Sequence, residues 1–385
     1  MPSLSAYASV LCTIATLSKA QHPHFRQWNH YRPPAADPIS SVASSSAVST
    51  APTSTQSVAV VELAADPASA VATSSASGST SDPAASSAVS GTGTSSADSS
   101  ASTSSITPNK NKAGISGFPG IQITNKAALD TFSQYISYYT DYWPNTTDFV
   151  NGDYTVIGVG MLWGNGDLNT SDPTAPLGDA VQQDTDRYNA FEALPTSPAP
   201  AYMMGFYEPD WPAPYSSNMN PATAAASWKT TLGAMSKDTL IGSPSMATQF
   251  NEEWLTPFMQ ELGVTEVPWD YTCIHTNKNT SQGVMDDVGY YWWKYGKPIW
   301  VSEFSCIDDE TWVGCDQETV YSFIPEVVDF FNTNDSVVAY GYSNGAGLGD
   351  VWPLINSVTG DLTPSGNCYL DVLQGKVAAG ASCTA

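Results

Sequence analysis

The stretch Tyr202-Met-Met-Gly-Phe-Tyr-Glu-Pro-Asp-Trp211 holds a short apolar run that ends on a carboxylate, Glu208, and is stopped at once by Pro209. Its counterpart is Lys297-Pro-Ile-Trp-Val-Ser-Glu-Phe-Ser305, another apolar run carrying Glu303 near its end. An ionised carboxylate at the end of a buried strand costs free energy unless something there uses its charge. Runs of this kind recur at 113–118, 135–143, 155–163, 202–207, 240–243, 271–275, 298–304 and 337–342. Between most of them lie helical patterns, at 125–132, 181–194, 221–236, 252–262, 282–295 and 318–332. Strand alternating with helix predicts an α/β fold with a parallel sheet, and eight such strands predict a (β/α)8 TIM barrel over residues 108–385. A polar insert, 165–179, follows the third strand.

On this count Glu208 ends the fourth strand and Glu303 lies near the end of the seventh. Side chains at the C-terminal ends of barrel strands share one cleft. Two carboxylates facing each other there suit glycoside hydrolysis, one as acid/base and the other as nucleophile or base. Trp163, Trp211, Trp143 and Tyr342, near strand ends, are expected to offer flat rings to sugar, in a chain with 11% aromatic residues and 12 Trp. Asp210 reads as a turn or cap residue, and Trp254, Trp292 and Trp293 as helix packing.

The motifs Phe206-Tyr-Glu-Pro-Asp210, Trp300-Val-Ser-Glu-Phe-Ser305 and Gly158-Val-Gly-Met-Leu-Trp-Gly164 resemble glycoside hydrolase family 128. This group shares the catalytic domain of the alkali-sensitive linkage proteins. The resemblance runs from Lys112 to about Leu373. It implies cleavage of β-1,3-glucan, with Glu208 as general acid/base, Glu303 as nucleophile and His275 at a matching position on the sixth strand. The chain departs from the pattern at Tyr207, where the family commonly carries an Asn that hydrogen-bonds the sugar 2-hydroxyl. Tyr207 is therefore expected at the substrate, and three readings follow. One is a secreted, retaining β-1,3-glucan hydrolase; the second is a weakly catalytic or non-catalytic β-1,3-glucan-binding wall protein; the third is a barrel hydrolase acting on another β-glucan linkage.

The remaining sequence limits partners and compartment. The segment Ala8-Ser-Val-Leu-Cys-Thr-Ile-Ala-Thr-Leu17 before Ser18-Lys19-Ala20 predicts a signal peptide over residues 1–20. Residues 21–107, rich in Ser, Thr, Pro and Ala, cannot bury enough apolar surface to offset chain entropy; a disordered, O-glycosylated region is expected. A secreted or cell-wall location follows. The formal net charge of −24 argues against nucleic acid and anionic membranes as partners and leaves neutral polysaccharide, and a monomer is expected. Asn145, Asn169, Asn279 and Asn334 begin N-glycosylation sequons. Five cysteines follow the leader, of which Cys306 and Cys315 are expected to pair, Cys368 and Cys383 to clasp the tail, and Cys273 to remain a buried thiol. No metal-ligand spacing or glycine-rich phosphate loop is present, so neither metal nor cofactor is expected.

Overall fold

The computed structural model describes residues 106–117, 126–168, 179–248, 253–345, 349–356 and 359–384. The predicted leader, nearly all of the Ser/Thr-rich region, Asn169 and most of the 165–179 insert lie outside the described residues.

The chain order is β1 (Ala113–Ser116), α1 (Lys126–Phe132), β2 (Tyr138–Thr140), β3 (Phe149–Asn151), β4 (Tyr154–Gly158), β5 (Gly160–Met161), α2 (Ala180–Glu192), β6 (Tyr202–Met204) and α3 (Pro221–Thr230). It continues through β7 (Leu240–Ile241), α4 (Leu255–Leu262), β8 (Thr272–Asn277), α5 (Ser281–Tyr295), β9 (Ile299–Ser305), β10 (Ile307–Asp308), β11 (Val313–Gly314), α6 (Gln317–Thr333), β12 (Val337–Ser343) and α7 (Pro364–Leu373). This is an α/β fold with mostly parallel pairing. One sheet runs β3-β4-β2-β1-β12-β9-β8, parallel except for β3, and a second runs β5-β6-β7, all parallel. Only Val159 separates β4 from β5, and a parallel bridge joins Gly242, just past β7, to Tyr271, just before β8.

The two faces of the sheets pack differently. One face buries Tyr138, Met161, Trp163, Met204, Tyr271, Cys273 and Trp300 against one another. Trp300 on β9 is their centre, with ring centroids 4.7 Å from Tyr138, 5.5 Å from Tyr202 and 4.9 Å from Tyr271, so rings from distant strands meet on one indole. The other face packs on the helices through Ile115, Phe304, Tyr340 and Tyr342 from the strands and Val320, Ile324 and Phe331 from α6. β8, β9 and β12 are buried along their whole lengths, as expected of strands covered on both sides.

Local chemistry sets the helix ends. Asn220 Oδ1 accepts from Thr223 N at 2.9 Å ahead of Pro221, and Asp316 Oδ1 accepts from Thr319 N at 2.8 Å. The sequence pattern runs too far at α3, which stops at Thr230; Thr231 turns its hydroxyl onto Ser227 O at 2.7 Å and a 3-10 turn follows. The periodicity also misses α7, whose hydroxyl of Tyr369 donates to Gly114 O at 2.8 Å and so ties the tail to β1. Both expected disulfides are present, Cys306–Cys315 and Cys368–Cys383, each with Cα atoms 5.5 Å apart, and Cys273 is a buried free thiol. Trp254 packs as expected, but Trp292 and Trp293 are exposed.

Candidate functional site

Glu208 and Glu303 meet. His275 on β8 stands between them, with Nδ1 2.8 Å from Glu208 Oε1 and Nε2 3.9 Å from Glu303 Oε1. All three side chains are buried: Glu208 is 7% exposed, Glu303 3% and His275 0%. The β8–β9 register, which aligns His275 with Glu303 across a local irregularity, fixes the second pair.

Glu208 sits just beyond β6 at a φ of 43°, a left-handed conformation that a side chain rarely adopts. Its environment holds it there. Glu208 N donates to Ser245 O at 2.8 Å, and Trp211 N donates back to Glu208 O at 3.0 Å. Asp210 clamps the same turn, accepting from Ala247 N at 2.9 Å and from Thr248 N and Oγ1 at 3.2 and 3.0 Å. Asp210 is thus the turn residue expected, with no place beside Glu303.

Glu303 is held by two hydroxyls. Tyr142 Oη donates to Oε1 at 2.7 Å and Ser343 Oγ donates to Oε2 at 2.8 Å. Tyr142, itself at a φ of 65°, reaches over Gly117, where any Cβ would collide with the Tyr142 hydroxyl. Tyr207 leans on both arms of the site, its ring centroid 4.9 Å from Tyr142 and 5.2 Å from His275. Beyond it, Trp163 stacks on Tyr207 at 6.1 Å and 15°, and the Arg187 guanidinium lies 4.8 Å from the Trp163 ring and 5.7 Å from that of Trp143.

Burial pushes the Glu208 carboxyl up to about 7, against the opposing pull of the hydrogen bond from His275. Burial alone would lower His275, yet Glu303 and Glu208 outweigh it and raise the imidazole above its ordinary value. A proton is therefore held within the Glu208–His275 pair near neutrality. Burial likewise raises the Tyr142 phenol, and Glu303 adds to the rise, so this hydroxyl stays a donor to the carboxylate.

The predicted aromatic residues divide. Tyr207, Trp143 and Trp211 are half-buried, Tyr207 against Tyr142 and His275, Trp211 on the Glu208 turn, and Trp143 against Arg187. Trp163 is 4% exposed, covered by Tyr207 and Arg187, so it backs the site where an open platform was expected. Tyr342 is a correction. Strand alternation turns it to the helix side, fully buried, with its hydroxyl donating to Trp352 O at 3.1 Å and its ring 5.4 Å from Tyr369. Its neighbour Ser343 is the β12 residue that reaches the site. Sequence reasoning also missed Tyr142, Arg187 and Trp312. Tyr142 lies in the triplet Asp141-Tyr142-Trp143, where the reading favoured the tryptophan. Among the predicted sequons, Asn145 and Asn279 are exposed and Asn334 is half-buried.

Residues 117–369 match the family model described as the glycosyl hydrolase catalytic core. A GH128 (subgroup VII) oligosaccharide-binding protein from Trichoderma gamsii is similar at 36% identity and a TM-score of 0.60, over 70% of this chain and 96% of that one. A second GH128 (subgroup VII) oligosaccharide-binding protein, from Cryptococcus neoformans, is similar at 37% identity and a TM-score of 0.59, over 72% of this chain and 99% of that one. Alkali-sensitive linkage protein 1 of Schizosaccharomyces pombe is 28% identical over 180 residues, which are 44% of this chain and 32% of the relative. The chain thus spans about a third of the length of that curated relative.

Proposed function

The chain belongs to glycoside hydrolase family 128, and on that premise we propose that it binds β-1,3-linked gluco-oligosaccharides in the cleft over Glu208 and Glu303 without turning them over efficiently. The observation that carries this reading is the position of Tyr207. Its ring lies against both Tyr142, which holds Glu303, and His275, which holds Glu208, where the family commonly presents a small amide to the sugar. A phenol there fills space beside both carboxylates, and it replaces an amide that strengthens its hold on the 2-hydroxyl in the transition state. The two relatives at 36% and 37% identity, both named as oligosaccharide-binding proteins, support the same reading.

The second reading, a retaining hydrolase, is favoured by the carboxylates themselves. Glu208, raised to about 7, can deliver its proton to the departing glycosidic oxygen while Glu303 attacks the anomeric carbon. Glu208 then takes a proton from water as the glycosyl-enzyme is opened. Replacing the phenol tests the choice between the two. The variant Tyr207→Asn should cleave β-1,3-gluco-oligosaccharides at least tenfold faster than the parent chain. A parent that already cleaves rapidly and is slowed by Tyr207→Asn would favour the hydrolase.

We read the two sheets as one closed eight-stranded barrel, supported by the run of β4 into β5, the Gly242–Tyr271 bridge and the convergence of rings on Trp300. We read the chain as secreted, which agrees with its two disulfides and with exposed sequons at Asn145 and Asn279.

A further inference from the structure

Two tryptophans from separate loops face one another beside Glu208. Trp211 follows the Glu208 turn directly, and Trp312 comes from the hairpin after β9; their ring centroids are 4.9 Å apart and their planes cross at 56°. Both are half-buried, and the pair forms a tilted corner.

The hairpin is built to present Trp312. β10 and β11 pair antiparallel, Cys306 and Cys315 close the loop at its base, and Cys315 N donates to Cys306 O at 3.0 Å. Asp308 Oδ1 accepts from Glu310 N and Thr311 N at 3.0 and 2.9 Å, and Trp312 N donates to Asp308 O at 2.7 Å. These bonds hold Trp312 at a φ of 57°, a conformation a bulky residue seldom takes without a reason. The indole Nε1 of Trp312 is shielded from solvent and has no hydrogen-bond acceptor among the described residues. A pyranose ring supplies a C–H face that fits against such indole planes.

We propose that Trp211 and Trp312 form a subsite for a glucose unit beyond Glu208, assembled by the Cys306–Cys315 hairpin. The inference rests on the reading of the cleft as a binder of β-1,3-linked gluco-oligosaccharides, and it assigns Trp312 and the disulfide to the recognition of chain length. Longer oligosaccharides reach the corner and short ones seated over the carboxylates do not.

Calorimetric titration of the full chain with the β-1,3-linked glucose trimer and hexamer tests this. The parent should bind the hexamer more tightly than the trimer. Trp312→Ala should weaken hexamer binding at least tenfold and trimer binding by less than twofold. Trp312→Phe, which keeps a smaller ring, should fall between. The double variant Cys306→Ala/Cys315→Ala should lose part of the same length preference. A folded Trp312→Ala or Trp312→Phe protein with the parental preference for the hexamer would overturn the subsite. A parent that binds neither oligomer would overturn the functional reading, and the subsite with it.

Discussion

His275 Nδ1 and Glu208 Oε1 lie 2.8 Å apart with both side chains buried, so the pair holds a proton that neither group would hold alone at neutral pH. Folding raises Glu208 from 4.5 to about 7, chiefly through burial, and raises His275 above 6.5 through Glu303 and Glu208 against the cost of burial. A raised native value means that the folded state binds the extra proton. The stability from Glu208 is therefore complete below about 4.5 and lost as pH rises through about 7, and that from His275 is complete below 6.5 and lost as pH rises through its raised native value. Asp184, pushed up to about 6 by burial, acts in the same direction. Urea unfolding should show a more stable protein at pH 5 than at pH 8.5. Glu208→Gln should flatten the profile; an unchanged slope would mean that the pair does not hold the proton.

Tyr142 and Ser343 occupy the two oxygens of Glu303. Tyr142→Phe removes one donor from a buried carboxylate, at a cost of about 1–3 kcal/mol. The melting temperature should fall, and an unchanged value would mean that the Tyr142 hydroxyl does not hold Glu303.

Gly117 combines a φ of 74° with the place over which the Tyr142 hydroxyl passes. Gly117→Ala meets strain on both counts, and a loss of more than about 1 kcal/mol is expected. In the double variant Gly117→Ala/Tyr142→Phe the loss should be smaller than the sum of the single losses, since the colliding hydroxyl is gone. Strict additivity in chemical denaturation would disprove the link.

Cys273 lies among Tyr271, Trp300 and Tyr138 on the sheet face away from the helices, and burial raises its thiol. Alkylation with iodoacetamide, mapped by peptide mass spectrometry, should leave Cys273 unmodified in the native protein and label it in urea.

Much of this was legible in the sequence because the strands of the parallel sheets are short apolar runs between amphipathic helices, and because Glu208 and Glu303 interrupt such runs with charge. The disulfides were legible too, since Cys306 and Cys315 bracket a polar loop. The parts that escaped depend on neighbours distant in the chain. Whether Tyr342 or Ser343 faces the site turns on a one-residue phase of β12, which a fully apolar strand does not reveal. Tyr142 acquires its role only because Gly117, just past β1, leaves room for it. Trp163 sits at the expected strand end, but Arg187, brought in by α2, covers the face that sequence reading left open.

Binding without efficient turnover is tested by following the β-1,3-linked glucose hexamer with the purified full chain, by calorimetry for binding and by chromatography for products. Saturable binding is expected, with the hexamer recovered intact after prolonged incubation. Shorter oligomers released by the parent chain, and absent with Glu208→Gln and Glu303→Gln, would contradict it.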